Sequence, residues 1–223
     1  MFFIMNLRSF SALILAGLLT LQGDSYARSP SGGILMTRQQ VEASEYDQFT
    51  GLVDVTTTYG AVRSLVQDVS AYPEWLHGCL ESKILSGSIS RGNAFIYFVY
   101  AAPKLPWYLF MAPRPKKRDM VLRLEWSENS ESGKITVSLT SIDPNEENAL
   151  PNVTIRSSPD LVRVKEITVI WEFEDRGNGV VAIEHRLHID PDHKGEDLGI
   201  INKYAKKLVE ESLKNVRKRL PNL

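Results

Sequence analysis

Apolar and polar residues alternate through much of the chain between residues 48 and 189, and the alternation predicts strands. From Arg118 to Trp126, Met120, Leu122, Leu124 and Trp126 fall on one face and Val121, Arg123 and Glu125 on the other. A strict period of two is the signature of a strand with one buried side. Lys134 to Ile142 repeats it, with Ile135, Val137 and Leu139 set against Thr136, Ser138 and Thr140. Ile167 to Glu174 places Ile167, Val169, Trp171 and Phe173 on one face; Val181 to Ile189 follows after the turn Arg176-Gly177-Asn178-Gly179. Further strands are expected at Gln48 to Thr57, Leu80 to Ile89 and Ala94 to Ala102, the last an aromatic and β-branched run. Strands joined by tight turns point to one antiparallel sheet with one face buried.

The period changes in two regions. Tyr59 to Asp68, with Val62, Leu65, Val66 and then Val69 at helical spacing, predicts a helix, and Tyr72 to His77 a short helical turn with Pro73 near its start. At the other end, Glu196 to Arg219 carries Leu198, Ile201, Tyr204, Ala205, Leu208, Ser212, Leu213 and Val216 on one stripe, with lysines and glutamates opposite. This predicts an amphipathic helix about 35 Å long at 1.5 Å per residue. Glu196 and Asp197 suit its start, and Lys214, Arg217, Lys218 and Arg219 its end, through the helix dipole. Its stripe needs a partner, and the large apolar face on offer is the concave side of the sheet. The expected fold class is α+β, a curved antiparallel β-sheet wrapped around a long C-terminal α-helix. That arrangement leaves room for an internal hydrophobic cavity.

The N-terminus changes the picture of where the domain begins. Arg8 is the one charge in the first twenty positions, an apolar run extends from Phe10 to Leu21, and Ser25-Tyr26-Ala27 supplies small residues at a cleavage site. This is the pattern of a secretory signal over residues 1–27. The alternative is a membrane anchor, for which the run is short of the roughly 20 residues of a span. Residues 28–33 form a flexible leader and 34–223 one domain, exported to the periplasm. Cleavage leaves 196 residues, enough for a core. A net charge of -1 argues against nucleic acid as a partner. Cys79 is the single cysteine, so no internal disulfide braces the fold, and it reads as a buried small hydrophobe.

Several segments, in order, resemble the START (StAR-related lipid transfer) family from about Gly33 to Leu220. Ser44, Tyr46, Phe49 and Gly51 are similar to its entry into the first long strand. Asp68, Tyr72 and Trp75 match its D-x-x-x-Y-x-x-W stretch, followed by Cys79, Glu81 and Ser82. Leu105-Pro106-Trp107 with Arg118-Asp119, then Val162-Arg163, Trp171 and His188-x-Asp190-Pro191, are similar to later family segments. The segment between Trp107 and Arg118 is longer and more basic than the pattern, and Asp192-His193-Lys194-Gly195 replaces its glycine-and-proline turn. The resemblance implies a bacterial secreted member of the helix-grip superfamily. It further implies an internal cavity for a sterol, phospholipid, ceramide or other apolar ligand, with no cofactor or metal and no catalytic residue.

Candidate ligand contacts follow from phase and from this resemblance. His185 is in phase with Val181, Ile183, Leu187 and Ile189, and so faces the apolar side; it bonds either the ligand's polar head or a protein group. Met120, Leu122, Leu124 and Trp126 form cavity wall or plain core, with no charge expected on that face, and Met120, Leu122, Leu124 and Trp171 are taken as ligand contacts. Tyr97 is added from the aromatic run, and Ile201, Tyr204 and Leu208 from the helix stripe. Residues 143–160 form a long polar loop carrying Leu150. The resemblance places this loop over the cavity mouth, with Leu150 either plugging the mouth or simply packing on the helix. His185 and His188, an odd offset apart on a strand, face opposite ways and cannot share a metal without a bulge. Arg114, Lys116, Lys117 and Arg118 beside Leu105, Trp107, Tyr108, Leu109, Phe110 and Met111 suit either transient contact with an anionic membrane surface or a solvated loop.

Three readings result. The first is a monomeric module that binds, and in one form transfers, a hydrophobic small molecule of lipid type. The second is an enzyme on the same scaffold, a cyclase or hydrolase of an apolar substrate. It needs an acid–base pair in the cavity, and no carboxylate shares the phase of His185. The third is an interaction domain with a collapsed core and a small cavity.

Overall fold

The computed structural model describes residues 33–42, 44–104, 115–148, 150, 158–164, 166–191 and 197–220. The expected export signal, residues 28–32 of the leader, Leu105 to Arg114, residues 149 and 151–157 of the 143–160 loop and the 192–195 turn lie outside these residues.

Among the described residues nine strands form one sheet. In chain order they are β1 (Leu35–Gln40), β2 (Asp47–Thr56), β3 (Cys79–Ser88), β4 (Asn93–Tyr100), β5 (Lys117–Asn129), β6 (Lys134–Ser141), β7 (Leu161–Arg163), β8 (Glu166–Asp175) and β9 (Val180–Asp190). Their order across the sheet is β1-β2-β9-β8-β6-β5-β4-β3, and the neighbours on this path run antiparallel. β7 stands off the path and pairs with β5 in parallel. The first long strand therefore lies beside the last, with β3 at the far edge. Between β2 and β3 the chain crosses through α1 (Tyr59–Gln67), a 3₁₀ turn at Val69–Ala71 and α2 (Tyr72–Trp75). Thr58 starts α1 by accepting the Ala61 N–H on its hydroxyl at 3.1 Å. A short helix, α3 (Pro144–Asn148), follows β6.

The long C-terminal helix, α4 (Leu198–Arg219), starts at Asp197, whose carboxylate accepts the Ile200 N–H at 2.9 Å. Its buried stripe is Ile201, Ala205, Leu208, Val209, Ser212, Leu213 and Val216, close to the face expected from periodicity. The helix packs on β2 and β9. Asn202 fixes its first turns by exchanging two hydrogen bonds with Asp47, at 3.1 and 2.7 Å. Gly51 sets the distance between helix and sheet: a Cβ there would stand 2.9 Å from Val209 Cγ1 and closer still to Leu213 Cδ1. Gly51→Val is accordingly expected to lower stability by about 1–3 kcal/mol through overpacking. An unchanged urea midpoint would mean that the helix yields freely at this point.

The two sides of the sheet carry separate apolar clusters. Met120, Leu122 and Leu124 of β5 join Ile96 and Phe98 of β4 and Ala205, Leu208, Val209, Leu213 and Val216 of α4 in the main core. Val121, Tyr97 and Val99 form a smaller cluster on the opposite face, with Leu85, Ile142, Leu150 and Leu161 against it. β1 and α3 were not anticipated, whereas β7 stands where Val162-Arg163 resembles a family strand start. β1 is polar from Thr37 to Gln40 and mostly exposed, so it has no alternation to read; it is held by its backbone pairing to β2.

Candidate ligand-binding site

One cavity lies between α4 and the concave face of the sheet. Its walls come from both. β5 contributes Met120 and Leu122, β6 Val137 and Leu139, β8 Ile167, Val169 and Trp171, and β9 His185, Leu187 and Ile189. β4 adds Phe98 and Tyr100. The α1 to β3 crossover supplies Val66, Tyr72, Trp75, Leu76 and His77, and α4 supplies Leu208 and Ser212. Because side chains alternate along each strand, one face of five adjacent strands delivers an almost wholly apolar wall. The cavity has a volume of about 40 Å³. That admits a few waters and is well short of the roughly 300–1,000 Å³ of small-molecule sites.

The polar groups in this wall are few. Trp171 and His185 sit directly opposite each other across β8 and β9 and stack at 3.7 Å, 8° from parallel. Trp75 meets Trp171 edge-on at 5.4 Å, and Tyr72 meets Trp75 edge-on at 5.0 Å. The Tyr72 hydroxyl donates to the Val66 carbonyl at 2.6 Å. Ser212, a polar member of the otherwise apolar α4 stripe, accepts the His77 N–H at 2.9 Å and ties α4 to the end of the crossover. His185 Nδ1 is buried without a partner, as is Trp75 Nε1.

Burial pushes the His185 imidazole down to about 3, so it is neutral at physiological pH. The consequence for stability has a definite sign. Between pH 6.5 and about 3 the unfolded chain holds a proton on this residue that the folded chain does not. Stability therefore falls as pH drops through that window, by at most about 1.4 kcal/mol per pH unit from this residue. Urea unfolding from pH 7 to pH 4 is expected to show a steeper loss in the wild type than in His185→Phe. Equal slopes would mean that His185 takes up protons alike in both states.

Of the residues expected to contact a ligand, the structure brings Met120, Leu122, Trp171, His185 and Leu208 together around the cavity. The others lie elsewhere. Leu124 is in the main core beyond the cavity wall. Ile201 is buried near the start of α4, outside the lining. Tyr204 packs on the core and donates its hydroxyl to the Ala101 carbonyl at 2.8 Å. Tyr97 and Leu150 belong to the cluster on the opposite face of the sheet, so the position of Leu150 is neither that of a plug in this cavity nor of a contact on α4. Tyr97 is odd in phase with Ile96 and Phe98, and its hydroxyl reaches Asp119 Oδ2 at 3.4 Å.

The basic run also divides. Lys116 and Lys117 are exposed, whereas Arg118 is buried. Arg118 is opposite Tyr100 and in phase with Met120 and Leu122, so that face of β5 is not free of charge as expected. Residue types missed at the site were Trp75, His77 and Ser212. The hydroxyl in the α4 stripe was the available signal for Ser212. His188 faces away from His185 and pairs with the Ser44 hydroxyl at 3.1 Å. Among the described residues no three metal-binding side chains cluster. The Cys79 thiol, pushed up to about 12 chiefly by burial, stays protonated.

No family model matches the chain. An uncharacterized protein of Pseudomonas aeruginosa is 21% identical over 159 residues, which span 71% of this chain and 68% of that protein. Among solved structures, a fragment of the STAR-related lipid transfer protein of Xanthomonas axonopodis superposes with a TM-score of 0.66 at 19% identity, covering 86% of this chain and 95% of that one. Human StAR-related lipid transfer protein 5 gives 0.67 at 14% identity, covering 87% and 84%. Human STARD10 gives 0.64 at 16% identity, covering 87% and 71%.

Proposed function

Because this chain has the helix-grip fold of the START-related lipid transfer domains, we propose that it binds one hydrophobic molecule of lipid class between α4 and the sheet. The observation that carries this reading is the apolar wall of Met120, Leu122, Val137, Leu139, Trp171 and Leu187, closed by α4 and the α1 to β3 crossover. Burying an apolar ligand there gains about 25 cal/mol per Å² of area removed from water. At about 40 Å³ the cavity takes a lipid only by moving its walls. The movable part is the seam between α4 and the crossover, where the Ser212 hydroxyl and the His77 N–H make the polar link. Transfer between membranes is the task that such an opening serves, with the chain acting as a monomer and touching a membrane surface transiently through its basic segment.

The small cavity favours a second reading, an interaction domain with a collapsed core. An enzyme is the weakest of the three. His185 is a neutral base, and among the described residues no carboxylate lines the cavity to serve as its acid–base partner. Neither nucleic acid nor a cofactor enters the proposal.

The working place we propose is the periplasm, on the charge and hydrophobic pattern of residues 1–27. N-terminal sequencing of the protein from a periplasmic fraction should begin at Arg28; an intact N-terminus in the membrane fraction would instead make the segment an anchor. The binding test is native mass spectrometry of the mature protein purified from its own source, followed by solvent extraction. A lipid in stoichiometric amount supports the carrier. A protein that carries nothing and ignores sterol and phospholipid panels returns the small cavity to the interaction reading.

A further inference from the structure

The edge of the sheet at β3 is complementary to itself. β3 pairs with β4 on one side and is the last strand of the sheet among the described residues. Four large hydrophobic side chains are exposed among those residues, and two of them stand on this strand, Leu80 at 50% and Ile84 at 45%. Between them lie Glu81, Ser82 and Lys83. The run therefore reads apolar, acidic, hydroxyl, basic, apolar. Turned about Ser82 and laid antiparallel to a second copy, it sets each Leu80 opposite the other copy's Ile84 and each Glu81 opposite the other copy's Lys83. The ion pairs fall on the face that carries Tyr97, whose ring Lys83 covers at 4.9 Å. Within one copy Lys83 reaches Glu81 at 3.6 Å, and both side chains stay more than a third exposed. The pairing with β4 is irregular between Cys79 and Glu81 and between Ile84 and Ser86, so the regular part of the edge is Glu81 to Ile84, with Leu80 at its border.

We propose that β3 is a self-recognition edge, through which two copies of this chain join antiparallel, Glu81 against Lys83, into a reversible dimer. An edge strand offers its outward backbone N–H and C=O groups to another strand, and cross-strand side-chain pairs select the register. A lone lysine on an edge repels a second copy of itself; here Glu81 answers it. Moving the two-fold axis one residue either way puts Glu81 opposite Glu81 or Lys83 opposite Lys83, and like charges directly opposite disfavour the pair. The axis at Ser82 makes two ion pairs and brings Leu80 and Ile84 together at both ends, the same patch serving on each copy. A run this short belongs with weak contacts of under roughly 1,200 Å². The dimer therefore exchanges with the monomer that meets a membrane.

Sedimentation equilibrium of the mature protein over a wide concentration range is expected to show monomer passing into dimer and no larger species, because a two-fold contact closes on itself. Glu81→Lys and Lys83→Glu each turn two attractive pairs into two repulsive ones, and each is expected to weaken the dimer about tenfold or more. The double variant, Glu81→Lys with Lys83→Glu, restores opposite charges across the axis and is expected to return the dissociation constant close to that of the wild type. Urea midpoints of the three variants should match the wild type, since the exchanged side chains are more than a third exposed. A chain that stays monomeric at every concentration would overturn the proposal. A dimer that the single reversals leave intact would place the contact on another surface and overturn it too. A double variant as weak as the singles would refute the register and with it the self-complementary edge. In each of these cases the carrier reading stands, because none of the exchanged residues lines the cavity.

Discussion

Trp171→Ala is expected to cost about 3–5 kcal/mol of stability, the usual range for emptying a buried tryptophan site. Trp171 is buried in β8, stacked on His185, edge-on to Trp75 and parallel to Phe173 at 6.0 Å. Its loss removes packing from three neighbours at once, and the sheet behind it cannot collapse to fill the space. Urea unfolding measures this, with the midpoint lowered and the slope preserved. The same change enlarges the cavity, and apolar cavities made by truncation take up small hydrocarbons. Benzene or a short alkane should therefore raise the melting temperature of the variant and leave the wild type unmoved, as expected for a ligand that binds only the folded form. A variant within 1 kcal/mol of the wild type would show that Trp171 is not a central packing residue.

Arg163→Met is expected to cost about 3 kcal/mol through the carboxylate it leaves behind. Asp119 lies on the outer face of β5, its side chain only 4% exposed, and Arg163 clasps it from β7 with bonds of 3.2 and 2.8 Å. The same guanidinium holds Glu147 of α3 at 2.5 Å. Removing one partner of a buried pair strands the other charge, which costs roughly 3–5 kcal/mol. The lower end applies because Arg163 is itself 35% exposed and water reaches it. A double-mutant cycle with Asp119→Leu isolates the pair: the double variant should be more stable than Arg163→Met alone. A loss under 1 kcal/mol in the single variant would mean that Asp119 finds other donors. This cluster also ties α3, which opens the 143–160 loop, to the back of the sheet. A ligand entering the cavity on the other face leaves these bonds in place.

Much of the fold was readable before the structure, for reasons visible at single residues. The Met120, Leu122, Leu124 series fixed the inward face of β5 because Arg123 and Glu125 left it only one way round. His185 was placed inward by its phase with Ile183 and Leu187, and it is there, beside Trp171. Where both faces of a strand are apolar, phase alone decides nothing. β4 carries Ile96 and Phe98 on one side and Tyr97 and Val99 on the other, and Tyr97 fell on the outer side. Leu150 followed it outward because α3 folds onto that face through the Arg163 and Glu147 bonds. The helix stripe was right as a stripe, but only Leu208 and Ser212 lie opposite the cavity. Arg118 read as the end of an exposed basic run, and the strand register carried it inside.

The sequence by itself determined the elements and their apolar faces, because periods of two and 3.6 are local properties of the backbone. It also supplied the reason for the grip, a long amphipathic helix and a one-sided sheet that each bury the other's apolar face. Only the tertiary structure decided which apolar residues border open space and which are solid core, and which polar atoms in that wall go unmet. Those outcomes depend on side chains meeting across long stretches of chain, as Ser212 meets the backbone of His77 from 135 residues away. A cavity is the remainder when such surfaces fail to fit completely, and no local pattern records the misfit.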